Sequence, residues 1–77
     1  MKIDELIPEM EEMLGFEAGT VKLDAKIANV PEWDSMAILS FIAFIEEKFD
    51  MVLEGDQIAQ VTTFKELFSL LGDKIEF

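Results

Sequence analysis

Residues 33–49 read WDSMAILSFIAFIEEKF, and this stretch decides the fold because it predicts the longest helix of the chain. Asp34 is a good N-cap residue, since its carboxylate can accept hydrogen bonds from the backbone N–H groups of a first helical turn. The ten residues 36–45 that follow are apolar except for Ser40. We therefore predict a helix from about Ser35 to Phe49.

This helix is unusually apolar for a small protein, because a helix without a polar face is expected inside a large protein or a membrane. We expect its core stripe to consist of Met36, Leu39, Ile42, Ile45 and Phe49. The residues then expected to face outward are Ala37, Ser40, Ala43 and Phe44. Two interpretations remain open. Either the helix has a wide core face and small outer residues, or some of its apolar residues form a docking surface for a partner or line a pocket between helices.

The sequence before this helix predicts a first helix and a long connection. Apolar residues from Ile3 to Leu14 recur at helical spacing, with Glu5, Glu9, Glu11 and Glu12 on the other side. Pro8 leaves two possibilities: the helix begins near Ile7, or it is kinked at the proline. Gly15 suits the left-handed position that ends a helix. The connection covers residues 16–33, and we expect its apolar residues to hold it across the helix ends; they are Val21, Leu23, Ile27 and Val30.

Two more helices are predicted after residue 50. Residues 56–59 suggest a short helix capped by Asp56. Thr63 and Glu66 have the spacing of a capping box, and the helix they open should end at Gly72. Its expected apolar face is Phe64, Leu67, Phe68 and Leu71. The sequence therefore predicts an all-α fold, a small four-helix bundle of three main helices and one short helix, in one domain spanning residues 1–77.

Composition narrows the classes of function. Six lysines against seventeen acidic residues give a formal net charge of −11, which disfavours nucleic acid and anionic membranes as partners. Basic protein surfaces are the expected partners instead. Residues 1–5 lack the layout of a signal peptide, and the longest apolar run is too short to span a bilayer. We expect a monomeric cytoplasmic protein without stable membrane insertion.

Ser35 is the main candidate for a residue with a chemical role, because it stands in the first turn of the apolar helix. The chain has no histidine and no cysteine. A serine is a weak nucleophile without a base to take its proton, and a thiolate or soft metal site cannot be built. We therefore expect no enzyme activity and no metal site, and if Ser35 has a chemical role we expect it to be modified rather than to catalyse.

Asp34-Ser35-Met36 resembles the Asp-Ser-Leu signature of acyl carrier proteins, with methionine in place of leucine. The resemblance continues through the apolar helix to residues 45–50, IEEKFD, which are similar to the acidic end of the second helix in that family. Residues 61–64, VTTF, are similar to the start of the final helix of the family. The length of the chain also matches a free-standing carrier domain.

This resemblance implies a prosthetic group. Ser35 would carry 4′-phosphopantetheine through a phosphodiester, and the terminal thiol of the arm would hold acyl groups as thioesters. Asp34 would be recognised by the phosphopantetheinyl transferase, through its Mg²⁺. The implied partners are that transferase and acyl-transferring or acyl-modifying enzymes, and the implied cargo is an acyl chain.

Further residues are candidates for docking and for sheltering the cargo. The expected partner-binding residues are Met36, Ala37, Ser40, Ala43, Phe44, Glu46 and Glu47. The residues expected to line an acyl-chain cleft are Phe41, Ile42, Ile45, Ile58, Val61 and Phe64. Trp33, Ala37 and Ser40 differ from what is common in members that serve fatty-acid synthesis. These differences favour a specialised carrier, for polyketide, envelope-lipid or lipopolysaccharide synthesis.

Two alternatives stay open. An aminoacyl or peptidyl carrier would use the same arm but would be loaded by an adenylating enzyme. An adaptor of a different class would be an unmodified acidic helical protein that binds a partner helix.

Overall fold

The computed structural model describes all residues from Met1 to Phe77 and contains four α-helices and no strands. The helices are α1 (Ile3–Leu14), α2 (Ser35–Phe49), α3 (Gly55–Ala59) and α4 (Phe64–Ser69). The long connection between α1 and α2 contains one short 3₁₀ turn, Ile27–Asn29. The all-α fold with a long first loop is therefore confirmed, and α2 has the predicted bounds.

Helix α1 continues through Pro8, so of the two possibilities a start near Ile7 is wrong. Proline removes one backbone donor from a helix, but buried Leu6 and Met10 on either side of Pro8 anchor this face of α1 in the core. Gly15 ends the helix in the left-handed conformation, with φ 77°. The N–H of Phe16 then donates to the Glu11 carbonyl at 2.8 Å, which closes the helix end.

The spacing of Glu11 predicted that it lies on the solvated side of α1, and this prediction is wrong. Its side chain is buried, and its Oε2 accepts a hydrogen bond from the backbone N–H of Val21 at 2.9 Å. The physical reason is that the loop after α1 folds back over the helix end and presents a backbone donor there. Glu11 thus holds the loop on α1.

Loss of this bond should be measurable as lost stability. We expect Glu11→Ala to lower the free energy of unfolding by about 1–3 kcal/mol, because the buried Val21 N–H would lose its acceptor. Glu11→Gln keeps an oxygen acceptor and should recover most of the loss. Urea unfolding monitored by circular dichroism measures both variants. Equal losses in the two would mean that the carboxylate acts by its charge.

The rest of the loop is held at its apolar residues, as predicted: Val21 is buried, and Leu23, Ile27 and Val30 are half-buried against the core. Backbone hydrogen bonds add to this packing where the loop passes the start of α4. The Ile27 N–H donates to the Thr62 carbonyl at 2.9 Å, and the Phe64 N–H donates to the Ala25 carbonyl at 3.2 Å. The loop therefore has a defined path between α1 and α2.

The core face of α2 differs from the expected stripe. Met36 and Leu39 are exposed, at 70% and 63%, although both were expected in the core. The buried residues of α2 are Ala37, Phe41, Phe44 and Ile45. The prediction failed because the helix is apolar on nearly all sides, so its spacing does not mark one face.

The C-terminal half follows the prediction with small changes. Helix α3 begins one residue earlier than expected, and the expected cap at Asp56 is wrong: the helix follows Glu54, whose N–H donates to Gln57 Oε1 at 2.9 Å. Thr63 caps α4, since its hydroxyl accepts from the Glu66 N–H at 3.3 Å. The predicted apolar face of α4 is buried, but the helix ends at Ser69, before Gly72.

The two ends of the chain pair with each other, which the sequence did not predict. The Ile3 N–H donates to the Glu76 carbonyl at 2.7 Å, and the Glu76 N–H donates to the Met1 carbonyl at 2.8 Å. Ile75, which precedes Glu76, is buried. This pairing holds the start of α1 beside the C-terminal residues.

Candidate functional site

Ser35 is the first residue of α2 and is exposed. Its position follows from Asp34, which caps the helix as predicted: Asp34 Oδ1 accepts from the Ala37 N–H at 2.9 Å. The Asp34 carbonyl also accepts from the Ile38 N–H at 3.0 Å. The cap therefore fixes the first turn and leaves the Ser35 hydroxyl open to another molecule.

The same turn has free backbone donors. The N–H groups of Ser35 and Met36 make no hydrogen bond within the protein. Free N–H groups and the helix dipole both favour an anion at a helix N-terminus. A phosphate esterified to Ser35 would be compatible with this environment, while the nearby carboxylates of Glu32 and Asp34 would attract a cation or a basic partner.

Asp34 can be tested apart from any recognition by an enzyme. Asp34→Ala should lower the free energy of unfolding by about 1 kcal/mol, because the Ala37 N–H would lose its acceptor. Asp34→Asn keeps the cap and should stay close to the parent protein in thermal unfolding. Equal losses in Asp34→Ala and Asp34→Asn would contradict a cap that depends on the side-chain oxygen.

The outer face of α2 is the exposed side of the helix beyond Ser35. It consists of Met36, Leu39, Ser40, Ala43, Glu46 and Glu47, all of them exposed. Ala37 and Phe44 were expected here as partner-binding residues, but both are buried because the helix turns that side toward the core. Leu39 was missed, and no sequence signal distinguishes it from the buried apolar residues of the same helix.

Of the acidic residues on this side of the molecule, Glu9 is paired with a lysine, whereas Glu46 and Glu47 are not. Lys48 Nζ lies 2.7 Å from Glu9 Oε1 in the only salt bridge, which joins α2 to α1. These two residues border an open hollow of about 550 Å³ that is also lined by Met13, Phe44 and Glu47. Glu46 and Glu47 make no salt bridge and remain available to a basic partner.

An apolar groove lies beside the start of α2. Its volume is about 370 Å³, and it runs between the 3₁₀ turn, α2 and α3. Its apolar lining includes Ile27, Ala28, Trp33, Ile38, Ile58 and Val61.

The groove differs from the predicted acyl-chain cleft. Ile58 and Val61 line it as expected. Phe41, Ile45 and Phe64 do not, because they are fully buried in the core, and Ile42 is half-buried outside the groove. Trp33 and Ile38 take their place, and Ile38 could have been found from its spacing, one helical turn beyond Ser35.

Comparisons with protein-family models, with curated proteins and with solved structures gave no match for this chain. The structure holds no group of three or more acidic residues placed to bind a metal ion. None of its helices combines the length and the apolar character needed to cross a bilayer.

Proposed function

We propose that this chain is an acyl carrier protein, with 4′-phosphopantetheine attached to the Ser35 hydroxyl. One observation carries the proposal: an exposed serine opens a capped apolar helix, and an apolar groove near the start of that helix is lined by Trp33 and Ile38. Ile38, which lines the groove, is one helical turn from Ser35 and on the same side of α2. An arm leaving Ser35 could therefore place its cargo in the groove.

The arm would supply a thiol, which the chain itself lacks because it has no cysteine. The residues of the chain would position the arm and shelter its acyl cargo. The free N–H groups of Ser35 and Met36 would hold the phosphate, and the groove would keep water from the acyl chain. Asp34 would hold the first turn in place and present a carboxylate to the modifying transferase.

The outer face of α2 would be the docking surface for enzymes that act on the cargo. Met36 and Leu39 provide exposed apolar area, and Glu46 and Glu47 add negative charge at the far end. We expect partners with an apolar patch beside basic residues, steered by the net charge of −11. Tethering would raise the effective concentration of the cargo at each partner. We place this role in the cytoplasm, in synthesis of fatty acids, polyketides or envelope lipids.

Mass spectrometry tests the proposal. The purified chain is incubated with coenzyme A and a phosphopantetheinyl transferase of broad specificity, and a second sample is purified from the native host. We expect the intact mass to increase by one phosphopantetheinyl group in both. A chain that stays unmodified in both samples would overturn the proposal.

An aminoacyl or peptidyl carrier would differ from an acyl carrier only in the group that is loaded onto the arm. Incubating the modified chain with acyl-adenylating and aminoacyl-adenylating enzymes separates the two, because only the matching enzyme forms a thioester.

The unmodified adaptor is favoured by one observation, the exposed Met36 and Leu39 on the outer face of α2. It predicts the bare polypeptide mass in the native host. It also predicts that a partner binds equally well to the chain with and without the arm.

A further inference from the structure

Two open hollows lie between α1 and α2, and they share no lining residue with the apolar groove. The hollow of about 550 Å³ lies toward the end of α2, and a second one of about 310 Å³ lies toward its start. Four α2 residues that line the hollows are spaced three or four apart, which places them on one side of the helix: Ala37, Ser40, Phe44 and Glu47. Neighbouring Met13 and Leu14 line the two hollows from α1. The hollows are therefore in line, and we call the depression that they form the α1–α2 cleft.

The α1–α2 cleft contains apolar side chains that remain open to solvent. Met13 and Met36 line it and are 56% and 70% exposed. Methionine side chains are flexible, so they adapt to the shape of a partner. Leu39 lines neither hollow, which makes the cleft a different surface from the outer face of α2 although Met36 borders both. Exposed apolar side chains along a depression are typical of a protein-binding surface.

Negative charge lies at both ends of the α1–α2 cleft. Glu32 and Asp34 line the hollow at the start of α2, and neither forms a salt bridge. At the other end Lys48 pairs with Glu9, while Glu47 has no cationic partner. The net charge of −11 would repel a second copy of this chain. The charges therefore favour a positively charged segment of another protein as the occupant.

We propose that the α1–α2 cleft binds an amphipathic helix of a partner protein, with apolar residues along its centre and a basic residue at each end. Asp34 and Glu47 are thirteen residues apart, which is about 20 Å along α2. A partner helix lying along the cleft would therefore carry its two basic residues roughly 11 to 14 residues apart on one face. Ser35 lines neither hollow, so the helix would bind with or without an arm on this serine. The interaction goes beyond the carrier role and does not depend on it.

A pair of designed peptides tests the proposal. The first is a helix of about 18 residues of alanine and glutamine, with leucines at helical spacing on one face and an arginine at each end of that face. The second has the same composition, but its leucines and arginines are distributed around the helix. Calorimetry at physiological salt should show that the first peptide binds about tenfold more tightly. In NMR spectra, its binding should shift the backbone amide signals of Met13, Gly15 and Ser40.

Variants separate the cleft from the outer face of α2. Met13→Ala, which changes the cleft alone, should weaken binding of the first peptide about three- to tenfold. Leu39→Ala, which changes the outer face alone, should alter it less than twofold. Glu47→Gln should weaken binding about two- to fivefold, whereas Glu46→Gln removes the same charge outside the cleft and should have a smaller effect. All four side chains are exposed, and thermal unfolding verifies that each variant is folded.

The contrary outcomes are specific. Equal binding of the two peptides, or no binding of the first, would overturn the proposal, because only general attraction to an acidic protein would then remain. A larger loss with Leu39→Ala than with Met13→Ala would place the helix on the outer face of α2 instead. Self-association in sedimentation that Met13→Ala abolishes would make a second copy the occupant. Peptide binding to a chain that takes up no phosphopantetheine would uphold the cleft and reject the carrier role, and a modified chain that ignores the peptide would do the reverse.

Discussion

Ser35→Ala should take up no phosphopantetheine under conditions in which the parent chain is fully modified. The substitution removes the only oxygen through which the proposed phosphodiester could form at this position. It should leave the fold intact, because Ser35 is exposed and the cap on α2 comes from Asp34. Intact-mass spectrometry after incubation with coenzyme A and transferase gives the result, and circular dichroism verifies the helix content.

Ser40→Ala is the matched control for this experiment. Ser40 is also exposed and also belongs to α2, but it lies on the outer face, beyond the first turn. The control should gain the full mass of one arm. Modification of Ser35→Ala would show that another residue is the attachment point and would contradict the assigned site.

Phe41→Ala should lower the free energy of unfolding by about 3–5 kcal/mol, the range for removing a large aromatic side chain from a closed core. Phe41 is fully buried, and its ring contacts those of Trp33 and Phe68, at centroid distances of 5.5 and 6.2 Å. Small domains are stable by about 5–15 kcal/mol in total, so this single change could unfold much of the population. Urea unfolding followed by circular dichroism measures the loss.

Leu39→Ala serves as the control on the same helix. Leu39 is 63% exposed, so its truncation should change the free energy of unfolding by no more than about 0.5 kcal/mol. If Leu39→Ala were the more damaging of the two, α2 would present to the core the stripe expected from sequence. The pair therefore tests which side of α2 faces the core.

The orientation of α2 has a functional consequence. Since Phe41 and Phe44 face the core, the apolar area open to partners is that of Met36 and Leu39. A docking surface of this kind would depend on apolar contact close to Ser35. Its acidic charges, Glu46 and Glu47, lie toward the other end of the helix.

Helix starts, caps and ends that depend on neighbouring residues could be predicted from the sequence. The start of α2 at Ser35, the cap at Asp34 and the cap at Thr63 depend on side-chain chemistry within a few residues. Gly15 ends α1 for an equally local reason, its positive φ. The candidate attachment site is of this local kind, because a serine at a capped helix start can be recognised from its neighbours.

The remaining features arise from contacts between residues distant in sequence, and only the tertiary structure decided them. Helix α2 is apolar on most sides, so its spacing could not say whether Leu39 or Phe41 faces the core. The burial of Glu11 depends on where the long loop returns to α1, and the groove at Trp33 depends on that loop meeting α3. Sequence patterns report which residues tend to be buried, whereas packing determines which neighbour covers each one and which donor is left without an acceptor.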